Sequence, residues 1–253
     1  MLNGRILMTT NWLERRIQAR LHALLAEPCL ICLGMETHAD GICALCQNEL
    51  PWQPPGCSVC GVVLEDTMSA GSLCNRCMSN RPAFDRCLAV FSHEFPVASQ
   101  VSSFKDRAGF GAARTFGILL ARQFLAHYRI NDLPLPDLLV PVPLHSSRLR
   151  KRGYNQAAML THVLGQRTGI RVALDICSRH KTEHSQRGLD AKARLANDGK
   201  LFTANGLTGT VCDRRVAIID DVVTTTATAR DISRVIRAAG ASSIDVWALT
   251  RRN

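Results

Sequence analysis

Long apolar runs are missing from this chain. No stretch of 18 apolar residues occurs in its 253 residues, which argues against a membrane-spanning helix. No export signal is expected either, because Arg5 and the polar Thr9, Thr10 and Asn11 interrupt any leader-like run. The expectation is a cytoplasmic protein with no membrane insertion. Aromatic residues number only 13, which is thin for a surface that stacks on nucleic-acid bases. Low-complexity segments are absent, and 46% apolar with 21% charged residues excludes a disordered chain. The length suffices for one sizeable core and a smaller module.

What is abundant is cysteine, and it is placed unevenly. Nine of the eleven cysteines precede residue 90, and eight form four C-x-x-C pairs: Cys29/Cys32, Cys43/Cys46, Cys57/Cys60 and Cys74/Cys77. With no export signal, a disulfide framework is disfavoured, because cytosolic thiols stay reduced. Each pair makes a tight knuckle that points two thiolates at one metal, and two knuckles complete a tetrahedral four-cysteine zinc site. Two structural Zn2+ ions are therefore expected. Consecutive, neighbouring and interleaved pairings of the knuckles all satisfy the spacing. Cys87, Cys177 and Cys212 lack a partner at metal spacing and read as small buried hydrophobes.

Charge is asymmetric too. Residues 1–90 carry 7 Lys+Arg against 8 Asp+Glu, and residues 91–253 carry 24 against 13. A basic C-terminal part suits phosphates, on a small molecule or on nucleic acid.

The pattern along the chain divides it into three. Residues 12–25 place Trp12, Leu13, Ile17, Leu21, Leu24 and Leu25 at helical spacing, predicting an amphipathic helix within residues 1–28. Residues 29–80 form a double zinc ribbon, too small to fold without metal. From residue 81 strands and helices alternate, with strands at 138–142, 216–219 and 243–249 and helices at 97–105, 112–128, 155–167 and 228–239. That alternation predicts an α/β domain over 81–253 whose mostly parallel sheet is covered on both faces.

Residues 216–228, VAIIDDVVTTTAT, carry the most chemistry. Val216 to Ile219 signal a buried strand, Asp220 and Asp221 end it, and small hydroxylated residues open a helix. Two carboxylates can accept hydrogen bonds from vicinal ribose hydroxyls. The backbone N–H groups of a first helical turn, with the Thr224, Thr225 and Thr228 hydroxyls, can hold a phosphate. A second cluster, Arg148, Arg150, Lys151 and Arg152, follows the 138–142 strand, where arginine forks match phosphate oxygens.

The segment resembles the phosphoribosyl-pyrophosphate (PRPP) loop of type I phosphoribosyltransferases, an apolar strand, two acids, two apolar residues and Thr-Thr-Gly-x-Thr. Here Thr226 stands in place of the usual Gly, at a position where glycine gives positive φ and a β-branched residue is strained. Thr224 stands where some relatives place a carboxylate, so no general base is evident there. With Pro141-Val142-Pro143, Arg152-Gly153-Tyr154-Asn155-Gln156 and the four knuckles, the chain resembles the ComF family, which joins a zinc ribbon to a phosphoribosyltransferase domain. Thr182, Gln186, Arg194 and Asn197 match a further segment of that family.

The resemblance implies a type I phosphoribosyltransferase fold and a PRPP site at Asp220, Asp221, Thr224, Thr225, Thr226, Ala227 and Thr228. It implies Mg2+ accompanying PRPP, with Arg148 and Arg152 stabilising the leaving pyrophosphate beside Asp220 and Asp221. The polar stretch 180–198 would close as a lid. Through the family's association with DNA uptake in natural transformation, it also implies single-stranded DNA and competence proteins as partners. A non-enzymatic DNA-handling factor and a PRPP-responsive regulator are the alternatives to a phosphoribosyltransferase, and the acceptor is not legible.

Overall fold

The computed structural model describes residues 28–35, 40–64, 71–106, 109–179, 202–204 and 208–252. The expected helix at 12–25 and lid at 180–198 lie outside these residues. The chain forms two compact units, Met1–Glu49 and Leu50–Asn253.

In the first unit, helix α1 (Ala44–Asn48) starts at Cys43. Its preceding knuckle turns at Leu33, whose N–H donates to Cys29 O at 2.9 Å.

The second unit begins with another knuckle, helix α2 (Asn75–Ser79) and strand β1 (Arg86–Ser92). Helices α3 (Val97–Asp106) and α4 (Phe110–Ile130) lead to β2 (Leu138–Pro141). Then come α5 (Ser146–Arg152), α6 (Gln156–Thr168), β3 (Arg171–Val172) and the antiparallel pair β4 (Cys177–Arg179) and β5 (Phe202–Ala204). Helix α7 (Thr208–Val211), β6 (Arg215–Val223), α8 (Ala227–Ala238) and β7 (Ser243–Arg251) complete it.

Five strands form one parallel sheet in the order β1-β7-β6-β2-β3. The central strands read as continuous apolar runs because both faces are covered. On one face Val216, Ile218, Ile244 and Val246 meet Ala229, Ile232 and Ile236 of α8. Cys57, Val59, Cys60 and Cys77 join that same core, so the second cysteine cluster folds with the sheet. The alternate residues of β6 and β7, among them Ile219 and Trp247, are fully buried on the other face, where Phe124 of α4 packs on Trp247 with ring centroids 4.4 Å apart. Helices α4 and α6 approach so closely that a Cβ added at Gly117 would lie 2.5 Å from Val163 Cγ1. Outside β1, Gln53 N–H donates to Val90 O at 2.9 Å and Cys87 N–H to Val59 O at 2.7 Å.

Two details depart from the sequence reading. Strand β6 continues through Asp220 and Asp221 to Val223 rather than ending at Ile219. Cys212 is exposed, unlike the buried Cys87 and Cys177, because it lies in the polar turn between α7 and β6.

Candidate functional site

Strand order places a site before any side chain is considered. From β2 the chain crosses outward to β3, and from β6 it crosses the other way to β7, so the switch point lies between the adjacent strands β2 and β6. Clefts beyond the C-terminal ends of strands at such points receive ligands. A cleft of about 200 Å³ lies there, lined by Val142–Leu144 after β2, Asp220–Val222 of β6, Arg148, Arg152, Asn155, Gln156, Arg179 and Thr228.

Each wall has a local cause. Asn155 caps α6 by accepting from Ala157 N–H at 3.0 Å, and its Nδ2 donates to Val142 O at 3.0 Å. One side chain thus binds the helix start to the end of β2. Gly153 closes α5 in the left-handed region (φ 82), turning the chain directly into that cap. Gln156 is buried, and its Oε1 accepts from Arg152 Nη1 at 2.8 Å. Its Nε2 has no hydrogen-bond partner among the described residues although it is buried beside the cleft. An amide donor in that state costs about 1–3 kcal/mol unless a ligand or water accepts from it.

On the β6 side, Asp221 N–H donates to Asp220 Oδ1 at 3.0 Å, and both acids are half-buried at the cleft. Thr224 and Thr225 are exposed and Thr226 is buried. The Thr226 backbone keeps the conformation that glycine adopts, with φ 61 and ψ 5, at a cost of roughly 1–2 kcal/mol for a residue with a Cβ. The loop therefore retains its turn despite the substitution.

Asp220, Asp221, Arg148, Arg152 and Thr228 converge on one cleft, whereas Thr224, Thr225, Thr226 and Ala227 form the adjoining turn and do not line it. Arg150 and Lys151 are exposed on α5 and also do not line it. Arg179 is a cleft residue that the sequence reading missed. Burial and the neighbouring charge of Arg148 push its pKa below the usual guanidinium value, and Asp220 works in the opposite direction. Its guanidinium also lies 5.5 Å from the centre of the Phe202 ring. No local motif marks Arg179, which reaches the cleft because β4 emerges beside it.

The cysteines resolve into two clusters by consecutive pairing, Cys29/Cys32/Cys43/Cys46 and Cys57/Cys60/Cys74/Cys77, with each set of sulfurs within 4.8 Å of one another. Cys32 and Cys43 Sγ are 3.8 Å apart, and Cys60 and Cys74 Sγ are 3.7 Å apart. Zinc–sulfur bonds of about 2.3 Å in tetrahedral geometry give an edge of about 3.8 Å, so both sets fit Zn2+. Cys43 N–H points at Cys29 Sγ (3.5 Å) and Cys74 N–H at Cys57 Sγ (3.3 Å), the same bond in both halves. Burial raises the Cys29 and Cys57 thiols, but such backbone donors outweigh it and bring each down to about 6, favouring the ligating thiolate.

A larger hollow of about 350 Å³ lies between residues 52–53, β1 and α4. Its polar lining is Gln53, Gln123 and His127, which lacks the convergent cations and carboxylates of the smaller cleft. Among the described residues no helix is long and apolar enough to cross a membrane.

Two four-cysteine metal sites and a parallel α/β domain with a cleft at its switch point are the class these features define. The double zinc ribbon domain family matches residues 20–78. Competence protein F of Haemophilus influenzae is 33% identical over 224 residues, covering 88% of this chain and 96% of the relative. The DNA utilization protein YhgH of Salmonella typhi is 32% identical over 214 residues, covering 83% and 90%. The chain belongs to the competence protein F (ComF) family. Among solved structures, a purine phosphoribosyltransferase from Pyrococcus horikoshii is similar over 54% of this chain and 80% of that one, at 19% identity and a TM-score of 0.32.

Proposed function

We propose that this chain binds PRPP or a closely related sugar phosphate in the β2/β6 cleft. The observation that carries this reading is the meeting of Asp220 and Asp221 with Arg148, Arg152 and Arg179 around a single cleft. Carboxylates suit ribose hydroxyls, guanidiniums suit a pyrophosphate, and the turn at Thr224–Thr228 suits the 5-phosphate. Mg2+ bound with PRPP would offset the charge of the pyrophosphate, and Asp220 and Asp221 are the carboxylates that would face its coordination sphere.

The chemistry open to these residues is positional and electrostatic. Arg148, Arg152 and Arg179 would stabilise negative charge on a departing pyrophosphate. Thr224 offers no carboxylate to take a proton from an acceptor, so binding rather than turnover is the core of the reading. Calorimetry with PRPP and Mg2+ on the wild type and on Asp220→Ala/Asp221→Ala tests it. Loss of binding with an unchanged melting temperature supports the site, and unchanged affinity refutes it.

A second reading concerns DNA. The relatives are named for competence and for DNA utilization. Arg150 and Lys151 form an exposed basic face on α5, apart from the cleft lining, that suits a strand phosphate. Single-stranded DNA and competence proteins are then the partners, with PRPP as cargo or signal.

A further inference from the structure

Thr226 carries an unfavourable backbone that glycine would hold without penalty, and the sugar-phosphate reading needs no side chain there. Its hydroxyl nevertheless has two defined contacts. It donates to Thr225 O at 2.6 Å and accepts from Arg230 Nε at 3.3 Å. Arg230 sits one turn along α8 and is only 6% exposed, an uncommon place for a guanidinium. Its remaining nitrogens are taken up by Asn80, which does not line the cleft. Nη2 donates to Asn80 O at 2.9 Å and Nη1 to Asn80 Oδ1 at 3.4 Å.

Asn80 ends α2, and its own N–H donates to Arg76 O at 2.9 Å. That helix begins at Cys74 and contains Cys77, so it carries two of the four thiolates of the second cluster. One guanidinium therefore spans from the strained turn of the phosphate loop to the end of the zinc knuckle.

Building on the sugar-phosphate reading, we propose that Arg230 is a positioning residue that holds Thr226 in its left-handed turn and ties that turn to the second zinc site. Anion binding at residues 224–228 and zinc retention at Cys57, Cys60, Cys74 and Cys77 are then linked. Linkage is reciprocal: whatever factor zinc adds to phosphate affinity, bound phosphate adds to zinc affinity.

The test uses the full-length zinc-loaded protein with Arg230→Met, Thr226→Gly and the double variant, and ribose 5-phosphate as probe. Arg230→Met is expected to weaken ribose 5-phosphate binding on the order of tenfold. It should also speed zinc transfer to a chromogenic chelator for one of the two ions. In the Thr226→Gly background most of the affinity loss should vanish, since glycine needs no clamp, while fast zinc release persists. Ribose 5-phosphate should slow release of one zinc in the wild type and of neither in Arg230→Met. An equal affinity loss in both backgrounds overturns the clamp, and equal protection of zinc in wild type and Arg230→Met overturns the linkage.

If the wild type does not bind ribose 5-phosphate, the sugar-phosphate reading fails by itself. The clamp is then decided by melting temperature: Arg230→Met must cost less in the Thr226→Gly background, and equal costs refute it. Should Arg230→Met not accumulate, Arg230→Lys serves in the same cycle, because one ammonium cannot reach Thr226 and Asn80 together.

Discussion

Arg86 and Asp245 sit opposite each other on the paired strands β1 and β7, and Arg86 Nε donates to Asp245 Oδ1 at 2.7 Å. The Tyr128 hydroxyl donates to the other carboxylate oxygen, and the Trp247 indole N–H reaches the Tyr128 oxygen at 3.2 Å. Burial pushes the Asp245 carboxyl up, while the Tyr128 hydroxyl and the Arg86 charge pull it back. Asp245→Ala leaves a phenol and a guanidinium without their partner and should destabilise the fold by ~3 kcal/mol. Tyr128→Phe should cost about 1 kcal/mol. Thermal melts measure both. Ribose 5-phosphate affinity should stay unchanged, because this group lies toward the strand ends opposite the cleft.

Elemental analysis should find two zinc ions per chain. Cys43→Ser and Cys74→Ser should each lose one. Only Cys74→Ser should lower the melting temperature of the sheet-bearing unit, because Cys57, Cys60 and Cys77 belong to its core. Equal melting of that unit in both variants would separate the second zinc from its stability.

Arg179→Gln should weaken PRPP binding by about tenfold and ribose 5-phosphate binding little, since a charged hydrogen bond to the pyrophosphate is lost. Equal losses for both ligands would move Arg179 away from the pyrophosphate position.

Single-stranded DNA binding, followed across salt concentrations, checks the basic face of α5. Arg150→Gln with Lys151→Gln should flatten the slope of log affinity against log salt by about 1.4, as two phosphate contacts are lost. An unchanged slope would place any DNA contact elsewhere.

His127 supplies a pH test. Burial, followed by the positive charge of Arg86, lowers its pKa below 6.5, and Asp245 opposes the shift. The fold thus favours neutral imidazole. That part of the stability is full above 6.5 and is lost as pH falls toward the lower folded value. Melting temperature should fall less between about pH 7.5 and about pH 5.5 in His127→Gln than in the wild type.

The sequence made the architecture legible where periodicity was unbroken, as in β6, β7, α4 and α8. The acidic pair and Thr228 were readable because strand, acids and helix start are contiguous. Arg179 and the buried amide of Gln156 were not, because they enter the cleft through the placement of β4 and the cap of α6, which no local spacing encodes. Knuckle pairing was equally hidden, since four identical C-x-x-C pairs give no local reason to prefer one partner. Arg230 escaped notice for the opposite reason: on a helix with Arg234 and Arg237 it reads as one more surface cation, and only its burial against Asn80 sets it apart.

The main-chain bonds from residues 51–53 and from Val59 to β1 have a consequence for solubility. Strand β1 is the outer strand of the sheet, and a bare outer strand recruits other chains through its unpaired amides and carbonyls. Here Pro51 and Gln53 occupy one stretch of that border, and Val59, inside a zinc knuckle, occupies another. Metal loss would uncover the second stretch while the remaining strands still pair. The knuckle at Val59 thus covers part of this border, and the metal-stripped protein is expected to self-associate through β1 as well as to melt earlier.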